Sequence, residues 1–273
     1  MKKKLLFLFI VFIISNTFSQ ESSTLKNGDV CPDEPYLIDV DSNIYNTVWI
    51  EGRCWMRENL RVKHYQNGDS SYNYYSGFSK STKFLHYIIG GDDSLNVQYD
   101  RLTALKGNRG GTGSEFVEGI CPKGWHIPST SEYWSLIKYY KNNFPVNCIK
   151  GKKGKIKVVK SAAKALASQE GWSACESCGT PGYDSENNNI SKFSAIPYSY
   201  NKISASAFNY WKWSPGQIAA FWSSSVPYRD GAVWDEGEVI VISHFSNEVY
   251  ISQMKFSTDI TASVRCVKLS TFH

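Results

Sequence analysis

Seven cysteines behind an export-type leader constrain this chain more than any other feature. Lys2, Lys3 and Lys4 precede an uninterrupted apolar run from Leu5 to Ile14. Ser15-Asn16-Thr17 then leads to Phe18-Ser19, which places a small residue where a signal peptidase cuts. The run is too short for a bilayer core of ~30 Å, which takes roughly 20 residues. Residues 1–19 therefore read as a signal peptide cleaved after Ser19, 20–35 as a loose leader and 36–273 as a single domain. No cysteine stands at the cleavage junction, which argues against a lipid anchor, and no later segment is apolar enough to span a membrane. The expected destination is secreted, periplasmic or at the cell surface. In such a compartment Cys31, Cys54, Cys121, Cys148, Cys175, Cys178 and Cys266 read first as disulfides. Their number is odd, so at least one stays free or pairs elsewhere.

Charge and composition narrow the class. The formal charge of +5 falls when the three leader lysines leave, and the balanced remainder argues against nucleic acid as a partner. Lys150, Lys152, Lys153, Lys155, Lys157 and Lys160 crowd one segment with Gly151 and Gly154. That segment reads as a solvated loop running into a helix, with an anionic-polymer contact as the alternative. Nine Trp, 17 Tyr and 14 Phe suit short strands and long ordered loops pinned by aromatic rings.

Local patterns place the elements. Asp41-Ser42-Asn43 supplies turn chemistry before the β-branched run Ile44 to Ile50. Glu51-Gly52-Arg53 breaks that run before Cys54-Trp55-Met56, which predicts a hairpin. Residues 65–119 read as loops, with one helical turn at Arg101 to Leu105. Ser129-Thr130-Ser131-Glu132 has the capping-box form and opens a helix whose apolar stripe is Tyr133, Trp134, Leu136, Ile137 and Tyr140. A second, weaker helix is expected over Lys160 to Ser168, and a loop over Gly171 to Asn189. Short strands follow at Phe221 to Ser225, Val239 to Ile242, Val249 to Ile251 and Ser263 to Val267. The class is α+β.

Several stretches invite functional readings. Cys175-Glu176-Ser177-Cys178 reads as a local structural disulfide among turn residues, with a redox dithiol or half a zinc site as alternatives. Asp39-x-Asp41-x-Asn43 begins like a calcium loop but lacks the required Gly and Glu at Ile44 and Ile50, so a turn is the better reading. Asp92 and Asp93 offer a further calcium possibility, with surface solvation preferred. The histidines have no metal spacing, and His126 reads as structural. No metal site or other cofactor is predicted. Tyr210-Trp211-Lys212-Trp213 stands out: alternation puts Trp211 and Trp213 on one face, and flat rings beside polar groups hold sugar rings. Tyr210, Trp211 and Trp213 are the candidate ligand-binding residues, with loop-pinning as the structural alternative.

Six blocks in order resemble the Fibrobacter succinogenes major paralogous domain family. They are Asp39 to Ile50, Cys54 to Leu60, Gly119 to Ser129, Phe193 to Pro197, Phe221 to Ser225 and Ser263 to Lys268. Two departures stand out: Ser42 occupies a position where the family usually has Gly, and residues 198–210 are Ser- and aromatic-rich where a Gly-rich stretch is usual. The family is similar to the C-type-lectin-like and formylglycine-generating-enzyme-like folds. The resemblance thus implies a C-type-lectin-like α+β fold with short antiparallel strands, one or two helices and long ordered loops. It further implies that the first and last strands meet, that Cys121 pairs with Cys266, and that Cys31 and Cys54 form an accessory bridge. Cys148 is then the odd cysteine. The expected function is a binding module for a glycan or surface protein. A formylglycine-generating-type oxidase, with two reactive cysteines and copper, is one alternative, and a structural subunit of an envelope assembly is another.

Overall fold

The structure, a computed structural model, describes residues 25–71, 97–108, 110–111, 116–150, 155–197, 202–205, 208–212, 215–227, 236–255 and 261–269. The signal-peptide reading falls on residues 1–19, outside the described residues. The described chain is α+β: mostly antiparallel sheet with few helices.

The opening strands are β1 (Tyr36–Ile38), β2 (Ile44–Ile50) and β3 (Arg53–Met56). β2 and β3 form the expected hairpin, with Ile50 opposite Arg53 across Glu51-Gly52. Both turn residues have positive φ, 50° and 75°, as a two-residue hairpin turn matched to strand twist demands. Asn27 holds Glu51 in that conformation, accepting from its backbone N–H at 2.8 Å and donating to its carboxylate at 2.7 Å.

Next come β4 (Tyr99–Asp100) and the single-turn helix α1 (Arg101–Ala104), capped by Asp100. Helix α2 (Thr130–Asn143) starts at the expected capping box and buries Tyr133, Leu136, Ile137 and Tyr140. Strands β5 (Pro145–Lys150) and β6 (Lys155–Lys160) pair antiparallel, and α3 (Ala162–Leu166) follows, shorter than the Lys160 to Ser168 expected. β7 (Lys202–Ala205) pairs with β8 (Phe208–Lys212). Then come β9 (Ile218–Trp222), β10 (Glu236–Ser243), β11 (Val249–Lys255), β12 (Thr261–Ala262) and β13 (Val267–Leu269).

The two ends of the chain meet. β13 pairs with β3, Val267 opposite Trp55, so one sheet runs β1-β2-β3-β13. A second sheet, ordered β11-β10-β9, forms a middle layer. Every residue of β9 is buried because both its faces carry core. Ile218, Ala220 and Trp222, with Val239 and Val241 of β10, face a cluster built around Trp125, Tyr99 and Tyr45. Ala219, Phe221, Ile240 and Ile242 face the other way, onto Trp55, Phe193 and the buried sides of α2 and α3. Strict alternation thus sorts one strand's side chains into two cores.

Three disulfides fasten this arrangement: Cys31–Cys54, Cys121–Cys266 and Cys148–Cys178, with Cα separations of 5.8, 6.0 and 5.7 Å. The third corrects the expected Cys175–Cys178 bond. Cys148 is not the odd cysteine; Cys175 carries the free thiol. The cause is a second correction. The lysine-rich segment forms the β5–β6 hairpin, not a loop, because Ile149, Ile156, Val158 and Val159 supply β-branched strand positions between the lysines. The hairpin carries Cys148 into bridging range of Cys178, which a loop reading could not place.

Candidate functional site

The motif blocks converge on structural networks. Arg265 is fully buried, and its guanidinium donates to Asn59 Oδ1 at 2.7 Å and to the carbonyls of Phe193 and Ser194. The same group stacks 4.4 Å over the Phe193 ring and 5.2 Å over Phe221. Burial lowers its pKa to about 10, opposed by the charge of Glu58. Trp222 donates to the Tyr99 carbonyl at 2.7 Å, and Trp125 to Glu34 at 3.2 Å. The indole N–H groups of Trp222 and Trp125 thus have fixed partners, whereas the buried Trp55 Nε1 has none.

Glu132 gathers a second network. Its carboxylate accepts from the Ser129 N–H at 2.8 Å and hydroxyl at 3.0 Å, and from Arg53 Nε at 3.3 Å, and lies 2.9 Å from His126 Nε2. Burial alone would raise its pKa. The hydrogen bond and charge of His126, with the Ser129 donors, outweigh that and hold the carboxyl below its usual value. His126 is buried, as its structural reading requires, and Phe116 lies 4.8 Å from its ring. A serine, a histidine and a carboxylate are therefore neighbours here, but the Ser129 hydroxyl engages Glu132 rather than the imidazole. The order of a nucleophilic triad is absent from this cluster.

A third polar group sits where α2 begins beside the end of β9. Thr130 Oγ1 meets Ser223 Oγ at 2.9 Å and donates to Glu238, and the Thr130 N–H donates to Ser225 Oγ at 3.0 Å. Buried Arg101 donates to the Ser225 carbonyl at 3.0 Å. Burial brings its pKa down to about 10, against the charge of Glu238. Gly110, at φ +80°, lets the backbone pass here, because a Cβ would strike the Ser224 carbonyl and the Arg101 guanidinium.

A concave surface lies elsewhere among the described residues, between β5, α3 and the turn after Gly182. It encloses about 370 Å³ and is bounded by Phe144, Asn147, Tyr183, Asp184, Asn187 and Ile190, among others. Lys164 forms its floor. The ammonium donates to the carbonyls of Tyr183 at 2.6 Å and Asp184 at 2.7 Å, and to Asn188 Oδ1 at 2.9 Å. Three bonds use all three ammonium protons, so Lys164 shapes the turn and keeps none for a ligand. Burial lowers its pKa, countered by Asp184. Asp184 takes φ +50°, and its carboxylate accepts from Asn187 Nδ2 at 2.7 Å, which fixes the amide at the rim. Tyr183, Asp184, Asn187 and Ile190 are exposed there. This chemistry combines one aromatic face, apolar flanks, two amides and a carboxylate.

The residues singled out in the sequence stand as follows. Tyr210 and Trp211 lie on β8, Trp211 opposite Ile203, but their side chains are outside the described residues, as is all of Trp213. Asp92 and Asp93 are also outside them. The Asp39 carboxylate is engaged by the backbone N–H groups of Asp41 and Asn43, the Asn43 amide and the Tyr45 hydroxyl, which makes it the anchor of a turn. No group of three or more His, Cys, Asp or Glu among the described residues is placed to hold a metal. Sequence reasoning passed over Tyr183, Asn187 and Asn147 altogether. The available signal was an aromatic residue set between Pro181-Gly182 and the polar run Asn187-Asn188-Asn189.

The fold and these interlocked motifs define a scaffold class: a disulfide-clamped α+β sheet protein whose last strand pairs with the opening hairpin. The family is equally plain. Residues 48–268 match the Fibrobacter succinogenes major domain, and the chain belongs to that family. No curated protein and no solved structure matches it.

Proposed function

We propose that this chain is an exported binding module on a C-type-lectin-like scaffold, and that it takes a saccharide, free or on a surface protein, in the cleft beside Tyr183. The observation that carries this reading is the cleft itself. A volume of about 370 Å³ lies in the range of small-ligand sites. An exposed tyrosine ring offers a flat face to sugar C–H groups, while Asn147, Asn187 and Asp184 offer donors and acceptors to hydroxyls. The meeting of β3 with β13, under a helix that opens on the Trp125 to Glu132 block, supports the scaffold reading. Three disulfides fit an oxidising compartment, and no described helix is long and apolar enough to cross a membrane. The oxidase alternative needs two reactive thiols, and six of the seven cysteines are bridged.

A glycan array probed with the mature protein, repeated with Tyr183→Ala, tests the proposal. A discrete set of saccharides bound by the wild type and lost in the variant is the expected result. An array silent for both proteins counts against it, as does a set that the variant binds equally well.

A further inference from the structure

The β5–β6 hairpin has two faces with different fates. Val146, Cys148, Lys157 and Val159 share one, and it is tied to the body: Cys148 bonds to Cys178, and Val159 lies against Gly179. Pro145, Asn147, Ile149, Ile156, Val158 and Lys160 share the other. Near its outer end that face is open and apolar. Ile149 and Ile156 stand directly opposite each other and are 74% and 68% exposed, and Val158, on the same face, is 57% exposed. Among the described residues the two strands pair only with each other. None of these three residues borders the cleft.

Charge identifies what such a face meets. From Tyr133 to Gln169 the sequence has no Asp or Glu, while lysines stand at 138, 141, 150, 152, 153, 155, 157, 160 and 164. Lys157 and Lys160 are exposed on the hairpin itself. Apposing a second copy through this face would bring two lysine-rich hairpins together, Lys160 of one against the apolar face of the other, and like charges resist that approach. A soluble anionic polymer would match the lysines but leave the isoleucine pair in water. Adjacent apolar and cationic side chains suit the boundary of an anionic bilayer, where apolar groups enter the headgroup layer and lysine stems extend toward phosphates. We infer that the outer face of β5–β6 is a membrane-surface contact: Ile149, Ile156 and Val158 seat in the interface of an anionic lipid bilayer, with Lys160, on the same face, at its headgroups. This surface is separate from the saccharide cleft and goes beyond that reading.

Co-sedimentation of the mature protein with two vesicle types tests it: phosphatidylcholine alone, and phosphatidylcholine with about 30% phosphatidylglycerol. The wild type is expected to sediment with the anionic vesicles and stay in solution with the neutral ones. Ile149→Thr/Ile156→Thr/Val158→Thr retains β-branched residues at exposed positions, so the thermal midpoint should hold. Its anionic-vesicle partitioning should fall roughly tenfold or more. Lys160→Gln should lower it roughly fivefold. Wild-type protein that ignores anionic vesicles overturns the inference. So does a folded threonine variant that binds as the wild type does, because charge alone would then suffice, as for an anionic polysaccharide. A wild-type dimer that the threonine variant converts to monomer would assign the face to a second copy instead.

Discussion

Arg265 shows what a single residue contributes in this chain. Its guanidinium bridges Asn59, two backbone carbonyls and two aromatic rings with no access to water. Replacement by Met would leave the Asn59 amide oxygen and the carbonyls buried and unpaired. We expect Arg265→Met to lose about 3–5 kcal/mol of stability, read from urea midpoints. Ser42 makes the opposite case. It sits at φ +66° in the turn before β2, where an L side chain is strained. Ser42→Gly should relieve that strain and, net of the extra freedom it gives the unfolded chain, stabilise the protein by about 0.5–1 kcal/mol. Glu132 links stability to pH. Its folded pKa is depressed, so its contribution is complete above the unfolded value of about 4.3 and drains away as pH falls through the folded one. Glu132→Gln should therefore be about 1–3 kcal/mol less stable than the wild type at pH 7, and the gap should narrow steadily below pH ~4. A gap independent of pH would mean that only the amide's hydrogen-bonding geometry matters.

Among the elements, the β5–β6 hairpin and the turn after Gly182 form one unit, sewn together by Cys148–Cys178. Native alkylation followed by peptide mapping should label Cys175 alone. Label on Cys148, with Cys175 joined to Cys178, would show that the hairpin is not fastened this way. This unit is also where the sequence was hardest to read. β2, β3, the capping box of α2 and the strands β10 and β11 announce themselves through periodicity, turn residues and caps, while the strand expected at Phe221 to Ser225 meets β9 only at Phe221 and Trp222. β5 and β6 do not, because their alternation is filled by lysines whose solvated heads imitate a loop. Once the hairpin is missed, Cys148 has no neighbour, and a C-x-x-C looks self-sufficient. The cleft was illegible for a related reason. Its walls come from three separate segments, and Lys164, which shapes it, sits amid alanines in a short helix and bonds mainly to carbonyls that any sequence would supply.

At the scale of the whole molecule, the motifs that define the family build the frame. Cys121–Cys266, Arg265, Trp222 and the Glu132 network hold the two ends of the chain and the helix together. The cleft and the outer hairpin are built from segments outside those motif blocks. The frame's long-range clamp should dominate stability. Cys121–Cys266 spans 145 residues and Cys148–Cys178 only 30. On chain-entropy grounds, removing the first by paired Cys→Ala changes should be worth about 5 kcal/mol and removing the second about 3.5 kcal/mol. Equal losses would mean that strain or residual structure, not loop closure, sets the difference.

The division between frame and cleft is tested most directly by locating the ligand. Amide chemical shifts of the isotope-labelled protein, followed as an array-selected saccharide is titrated in, should move at residues 144–147 and 183–190 and stay fixed around His126, Glu132 and Arg265. Shifts centred instead on β8, at Tyr210 and Trp211, or on the Glu132 network would contradict the account.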